Sequence, residues 1–245
     1  MKELKELIQK ADSLKEKRLA NTFSIEHQRK RNELLKIEFI YSSNAMDENT
    51  HTLFETKQIL NGNSSINLAS KACKEVLGQS ASYDFMLSLS QQEELTITKE
   101  DIFKLHALIY SQIESQSAGT IRTTALVPKE SNYSVPNPDE VDHLMNHLAD
   151  QLDSSKYALH PIELAALAHK RLLDIYPFLY GNGQVARLLM NLILTHTGYG
   201  IAIIPPETKD DYIKALAVSR KLYNPDPITK IIAECIVNTN TIYFE

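Results

Sequence analysis

Cysteine is scarce in this 245-residue chain: Cys73 and Cys235 are the only two, and neither stands in a CxxC or zinc-type spacing. A disulfide-built scaffold is thereby excluded, and a reduced, intracellular chain is expected. Long apolar runs are absent too. The first eleven residues alternate Lys and Glu with Leu and Ile, and no stretch reaches the ~18 apolar residues of a membrane span, so neither an export signal nor a membrane partner is expected and the location read is cytoplasmic. Positive charge is not in surplus: 26 basic against 31 acidic residues leave a formal net charge of −5. That argues against a nucleic-acid binder with a broad basic surface while leaving room for a local anion site. Glycine numbers only seven, and all nine prolines fall between Pro128 and Pro227. Long helices are therefore expected in the first half, and helices separated by sharp turns in the second.

What is present is mostly helical periodicity, and the fold class read from it is all-α. Leu4, Leu7, Ile8, Ala11 and Leu14 stripe one amphipathic helix. Ser24 can cap a second that should end near the polar Ser42-Ser43-Asn44. Thr52 with Glu55 forms a capping box for a short helix to about Leu60. A long, largely buried helix is expected over 66–89, interrupted at most by Gly78. Thr98 with Asp101 opens another. Residues 122–127 and 132–135 are β-prone and flank Pro128-Lys129-Glu130-Ser131, which suggests a small hairpin. Asn137-Pro138-Asp139-Glu140 starts the next helix, and Pro161 starts one that should stop at Tyr176-Pro177, because proline pushes its predecessor out of the α region. Residues 184–197 make a strongly apolar helix with Gly198 as its C-cap. Thr208 with Asp211, and Asp226-Pro227, begin the last two. The division expected is a helical extension over 1–95 and a core over 96–245.

Between two of those apolar helices lies Tyr180-Gly181-Asn182-Gly183-Gln184. Glycines can turn successive backbone N–H groups toward one concavity, and the following helix adds its N-terminal partial charge, which together suit a phosphate. Arg187, one turn on, can complete the contacts. A tight interhelical turn would use the same residues.

The wider run, from His160-Pro161 through Tyr176-Pro177-Phe178-Leu179-Tyr180-Gly181-Asn182-Gly183-Gln184-Val185-Ala186-Arg187 to Asn191, closely resembles the core of the Fic (Fido) family. The resemblance reaches back through the hairpin and forward through Ile203-Ile204-Pro205-Pro206. An upstream match from Glu38 through Asn49 and at Glu55-Thr56-Lys57, within a segment of about 38–60, is similar to the inhibitory helix that some members carry. It implies a helical Fic fold with a small β-hairpin flap. The activity it implies is AMP transfer from ATP to a protein hydroxyl. The motif is His-Pro-Phe-x-Asp/Glu-Gly-Asn-Gly-Arg-x-x-Arg: the loop holds the ATP phosphates, the acid before the first glycine holds Mg²⁺, and the histidine deprotonates the target.

Three of those positions differ here. Tyr176 stands for the histidine, and a phenol of pKa near 10 is only about 0.1% ionised at pH 7, so it is a poor proton acceptor. Tyr180 replaces the acid, leaving no carboxylate for a metal and making any Mg²⁺ dependent on nucleotide and water. Gln184 replaces the first arginine and brings no charge. The resemblance implies nucleotide contacts from Gly181, Asn182, Gly183, Gln184 and Arg187, with ATP or a related nucleotide as ligand. In the inhibitory segment Ser43 keeps its place, Asp47 stands for the glutamate, and Glu48 replaces the small residue beside it. Asp47 or Glu48 is expected to pair with Arg187. Lys129, Glu130, Ser131, Asn132 and Tyr133 match the flap that aligns a protein target by strand addition.

Binding is thus better supported than catalysis. A transferase with another base, or a non-catalytic interaction module on the same scaffold, are the other readings. His143 and His147, four apart near Asp142 and Asp150, fit an exposed helix face better than a metal pair. His169 lies in an apolar helix and should pack or hydrogen-bond there. Tyr83, Tyr110 and Tyr157 are expected at core edges.

Overall fold

The computed structural model describes residues 2–21, 23–62, 67–128 and 133–244. The helices run in order α1 (Lys2–Ala20), α2 (Ile25–Met46), α3 (Leu53–Leu60), α4 (Lys71–Ser90), α5 (Lys99–Tyr110), α6 (Pro138–Ser155), α7 (Pro161–Ile175), α8 (Asn182–His196), α9 (Lys209–Lys221) and α10 (Asp226–Phe244). Among the described residues there is no strand, and no helix is long and apolar enough to cross a membrane.

The starts follow the local chemistry. Thr52 Oγ1 accepts the Glu55 N–H while the Glu55 carboxylate accepts the Thr52 N–H at 2.8 Å, and Thr98 and Asp101 repeat the arrangement on α5. Each such box satisfies two donors that the first turn would leave orphaned. The α4 start differs from expectation: Ser70, not a residue near 66, caps it through the Cys73 N–H, and the helix then runs through Gly78 without a break.

The end of α2 is a second departure. Ser42, Ser43 and Asn44 continue the helix to Met46, because all three are buried and Ser43 and Asn44 bond other helices rather than water. Polarity marks a helix end only where the polar groups meet solvent.

At the centre lies α8, with twelve of its fifteen residues buried. It packs on α7, α4, α5 and α2. Five of those residues are Leu or Ile at 0–1% exposure, each adding about 1.5–3 kcal/mol of burial. That fixes the frame from which the glycine loop is hung. The buried apolar residues, Ile37 apart, form one cluster reaching from Ala11 to Val237, with α1 laid along α10 and Asp12 of α1 meeting Tyr199 and His160.

The two segments expected to pair as a hairpin are not strands in their described parts, 121–128 and 133–137, and the turn at Lys129, Glu130, Ser131 and Asn132 lies outside the described residues. Tyr157, expected to pack, is 83% exposed and donates its hydroxyl to Glu94. Tyr83 and Tyr110 are buried as expected.

Candidate functional site

A cleft of about 1020 Å³ opens where the end of α2, the start of α4, the α7–α8 loop and α9 meet, and Tyr176, Tyr180, Gly181, Gly183 and Arg187 line it together with Asp47 and Glu48. Helix α7 ends at Ile175, and Tyr176 turns into the left-handed region at φ 53°. Its N–H donates to the Leu172 carbonyl at 2.8 Å, and its own carbonyl accepts Arg122 Nε at 2.8 Å. The phenol is thus carried on a backbone fixed at both peptide groups.

Gly181 has φ 71°, and a Cβ there would sit 2.3 Å from the Tyr110 ring, so no other residue fits this turn. Helix α8 begins directly after it with no capping side chain, so its first-turn amides are presented beside the cleft.

Asn182 and Gln184 behave differently from expectation. Asn182 folds back on its own loop: its Oδ1 accepts the Phe178 N–H at 2.9 Å and its Nδ2 donates to the Phe178 carbonyl at 2.8 Å. Gln184 donates to Asn44 Oδ1 at 2.8 Å and accepts from the Tyr110 hydroxyl at 2.9 Å. Both are buried, so their side chains build the cup and do not face into it.

Arg187 is also buried and is held by α2. Its Nε donates to Ser43 Oγ at 2.9 Å, and its Nη2 donates to the Ser43 carbonyl at 2.8 Å and to Asp47 Oδ2. Burial opposes its charge, but Asp47 and the Tyr212 hydroxyl outweigh that and raise its pKa. Asp47 therefore fills the role expected of either acid, lying close enough to Gly183 that a Cβ there would stand 3.1 Å from its Oδ1. Glu48 is exposed and takes φ 69°. That is a left-handed position where a small residue is easier, which accounts for the residue type Glu48 replaces.

Three functional side chains escaped the sequence reading. His106 lies under the glycine loop, stacked on Phe178 with centroids 3.9 Å apart. Its Nδ1 accepts the Gly119 N–H at 2.8 Å, which leaves Nε2 to donate to the Tyr180 carbonyl at 3.1 Å. Burial holds its pKa down to about 4. It sits four residues from both Ile102 and Tyr110, so the stripe of α5 could have placed it on the buried face. Arg122 is buried and reaches the carbonyls of Tyr176, Thr124 and Pro136, tying both arms of the flap segment to the motif. Tyr212 stands between His169 Nε2, 3.2 Å away, and Arg187; this is the hydrogen-bonding role expected for His169.

Tyr133 lines the cleft, donates its hydroxyl to the Leu173 carbonyl at 2.7 Å, and carries the Arg220 guanidinium 3.8 Å above its ring. His143 and His147 are on an exposed face, and no group of three His, Cys, Asp or Glu able to hold a metal occurs among the described residues. Mg²⁺ does not suit this cleft. The residue at the acid position is a phenol with the Lys71 ammonium 5.7 Å from its centroid; of the three lining carboxylates, Asp47 pairs with Arg187, Glu75 is bonded to Asn49, and Glu48 adds a single exposed one. A hard cation needs free oxygen donors, carboxylates above all.

The Fic/DOC family model matches residues 96–194. Protein adenylyltransferase Fic of Drosophila grimshawi is 31% identical over 206 residues, which cover 83% of this chain and 42% of that protein. Among solved structures, Fic-1 (residues 134–508) from C. elegans aligns with a TM-score of 0.88 and 28% identity over 98% of this chain and 71% of that one. A Fic domain containing signaling protein from Bacteroides thetaiotaomicron aligns at 0.83 and 27%, covering 98% and 96%. The chain belongs to the Fic/DOC family, and it spans less than half the length of the curated relative.

Proposed function

We propose that this chain is a nucleotide-binding protein of the adenylyltransferase type whose transfer of AMP from ATP to a protein hydroxyl is strongly slowed. One observation carries the reading: Tyr176 stands at the position of the motif histidine beside a cup that keeps its glycine turn and Arg187. The phosphates rest on the first-turn amides of α8 after Gly181, with Gly183 allowing close approach and Arg187 offering charge once Asp47 lets go. The side chains of Asn182 and Gln184 act only by shaping the cup. The flap, residues 129–133, aligns the target segment. Without a base, the target hydroxyl keeps its proton until late in the transfer, and losing a positioned base costs about 10²- to 10⁴-fold.

Calorimetry with ATP, ADP and AMP, followed by mass spectrometry for an AMP adduct on lysate proteins, tests both halves. Binding without robust modification is expected. The triple variant Asp47→Gly, Tyr176→His, Tyr180→Asp should gain modification, with Gln184 left in place because it bridges α2 and α5. Robust modification by the wild type, or a restored variant that binds ATP and modifies nothing, overturns the reading.

A further inference from the structure

The chain carries a net charge of −5, yet five lysines and arginines line the cleft against three carboxylates among its described residues. The excess is positive where the protein as a whole is negative, and low-dielectric walls focus such a local field. Its distribution matters more than its sum. Arg187 is already balanced by Asp47, and Arg220 by Asp174 at 2.7 Å. Gln184 contributes no charge and is sealed between Asn44 and Tyr110. Of the three remaining cations, Lys209 and Lys221 belong to α9, and Lys71 is the one that stands beside the glycine loop. It is the first residue of α4, it is exposed, it lines the cleft, and its Nζ stands 5.7 Å from the centroid of the Tyr180 ring. Tyr180 immediately precedes Gly181, so this ammonium lies at the same end of α8 as the uncapped amides.

We propose that Lys71 supplies, from α4, the phosphate-neutralising charge that a divalent cation would otherwise bring, so that nucleotide binds this cleft without metal. The inference rests on the nucleotide-binding reading above and specifies how that site works. Tyr180 gives a metal no carboxylate but gives an ammonium a π-face on which to rest. Glu75, one turn along α4 and coupled to Lys71, is engaged by Asn49 Nδ2 at 2.8 Å and has its pKa raised by burial, so it competes weakly for the lysine. The flexible lysine stem lets Nζ leave the ring and reach a phosphate oxygen, forming charge-assisted hydrogen bonds beside those from the α8 amides.

Isothermal calorimetry on the full chain with ATP and with inorganic tripolyphosphate, each in EDTA and then in Mg²⁺, provides the test. Wild type should bind ATP in EDTA, with Mg²⁺ tightening it less than about threefold. Lys71→Ala should weaken both ligands about tenfold, because the contact is to phosphate and not to the base, while Lys71→Arg retains most of the affinity. Lys104→Ala, which removes the same charge from an exposed site on α5 outside the cleft, should change nothing. The proposal fails if Lys71→Ala binds like wild type, if Lys104→Ala loses as much, or if ATP binds only with Mg²⁺; in each of these cases the nucleotide-binding reading survives. If neither wild type nor the unclamped Asp47→Ala variant binds ATP in either condition, both fall.

Discussion

The two walls of the cleft are built by different chemistry. On the α2 side the bonds run mainly from side chain to side chain, Gln184 to Asn44 and Arg187 to Ser43 Oγ and Asp47, with one further bond from Arg187 to the Ser43 carbonyl. On the flap side they run from side chain to backbone, with Arg122 holding the carbonyls of Tyr176, Thr124 and Pro136, and Tyr133 holding that of Leu173. The first wall depends mostly on the identity of both partners, whereas the second depends mostly on the side chain that donates. Damage to the flap wall should therefore be concentrated in single residues, and damage to the α2 wall should trade stability against ligand access.

The largest effect expected is at Arg122. Hydrogen bonds from a charged donor are worth about 1.5–3 kcal/mol each and are not additive, so Arg122→Ala should cost about 3–4 kcal/mol in urea unfolding. A loss under about 1 kcal/mol would mean the flap segment is held by something else.

Next comes a pH dependence from the floor beneath both walls. In the unfolded chain His106 titrates near 6.5, but folded it stays neutral down to about 4. The unfolded state therefore takes up the proton first. Stability is complete above about pH 6.5 and falls as pH drops toward 4, by roughly 2–3 kcal/mol from this group. His169, held down to about 3 by burial and by Arg187 and Arg220, extends the loss further. Urea midpoints of wild type and His106→Asn between pH 7 and 4, as a pH range of about three units, should diverge at the high end and converge at the low end.

Asp47→Ala sharpens the contrast because its two readouts should move in opposite directions. Leaving Arg187 with Ser43 and Tyr212 alone should lower stability by about 1–2 kcal/mol, while ATP binding tightens about tenfold. A variant destabilised without any gain in affinity would make the pair a purely structural clamp. The smallest effect is at Glu48, where relief of the left-handed backbone by Glu48→Gly should add about 0.5–1 kcal/mol, measured as a rise in the thermal midpoint.

Helix starts were legible because caps are local: Thr52, Thr98 and Pro161 sit beside the donors they satisfy or the turn they begin. The persistence of α2 through Ser43 and Asn44 was not, since their partners Arg187 and Gln184 lie 144 and 140 residues away. The β-prone flap segment misled for a similar reason. Its described carbonyls at Thr124 and Pro136 are taken by one buried guanidinium instead of a ladder, and nothing in local propensity announces that. For the site, Arg187, Asp47 and the glycine turn were readable from the motif. The inward folding of Asn182 and Gln184 was not, because a polar side chain beside a glycine loop reads the same whether it faces a ligand or the core.

The Asp47–Arg187 pair means that an arriving polyanion has to evict a counter-ion that belongs to the chain itself. Such a tethered rival keeps its effective concentration on dilution, so occupancy would be governed by how often α2 loosens its last turn as well as by how much nucleotide surrounds the protein.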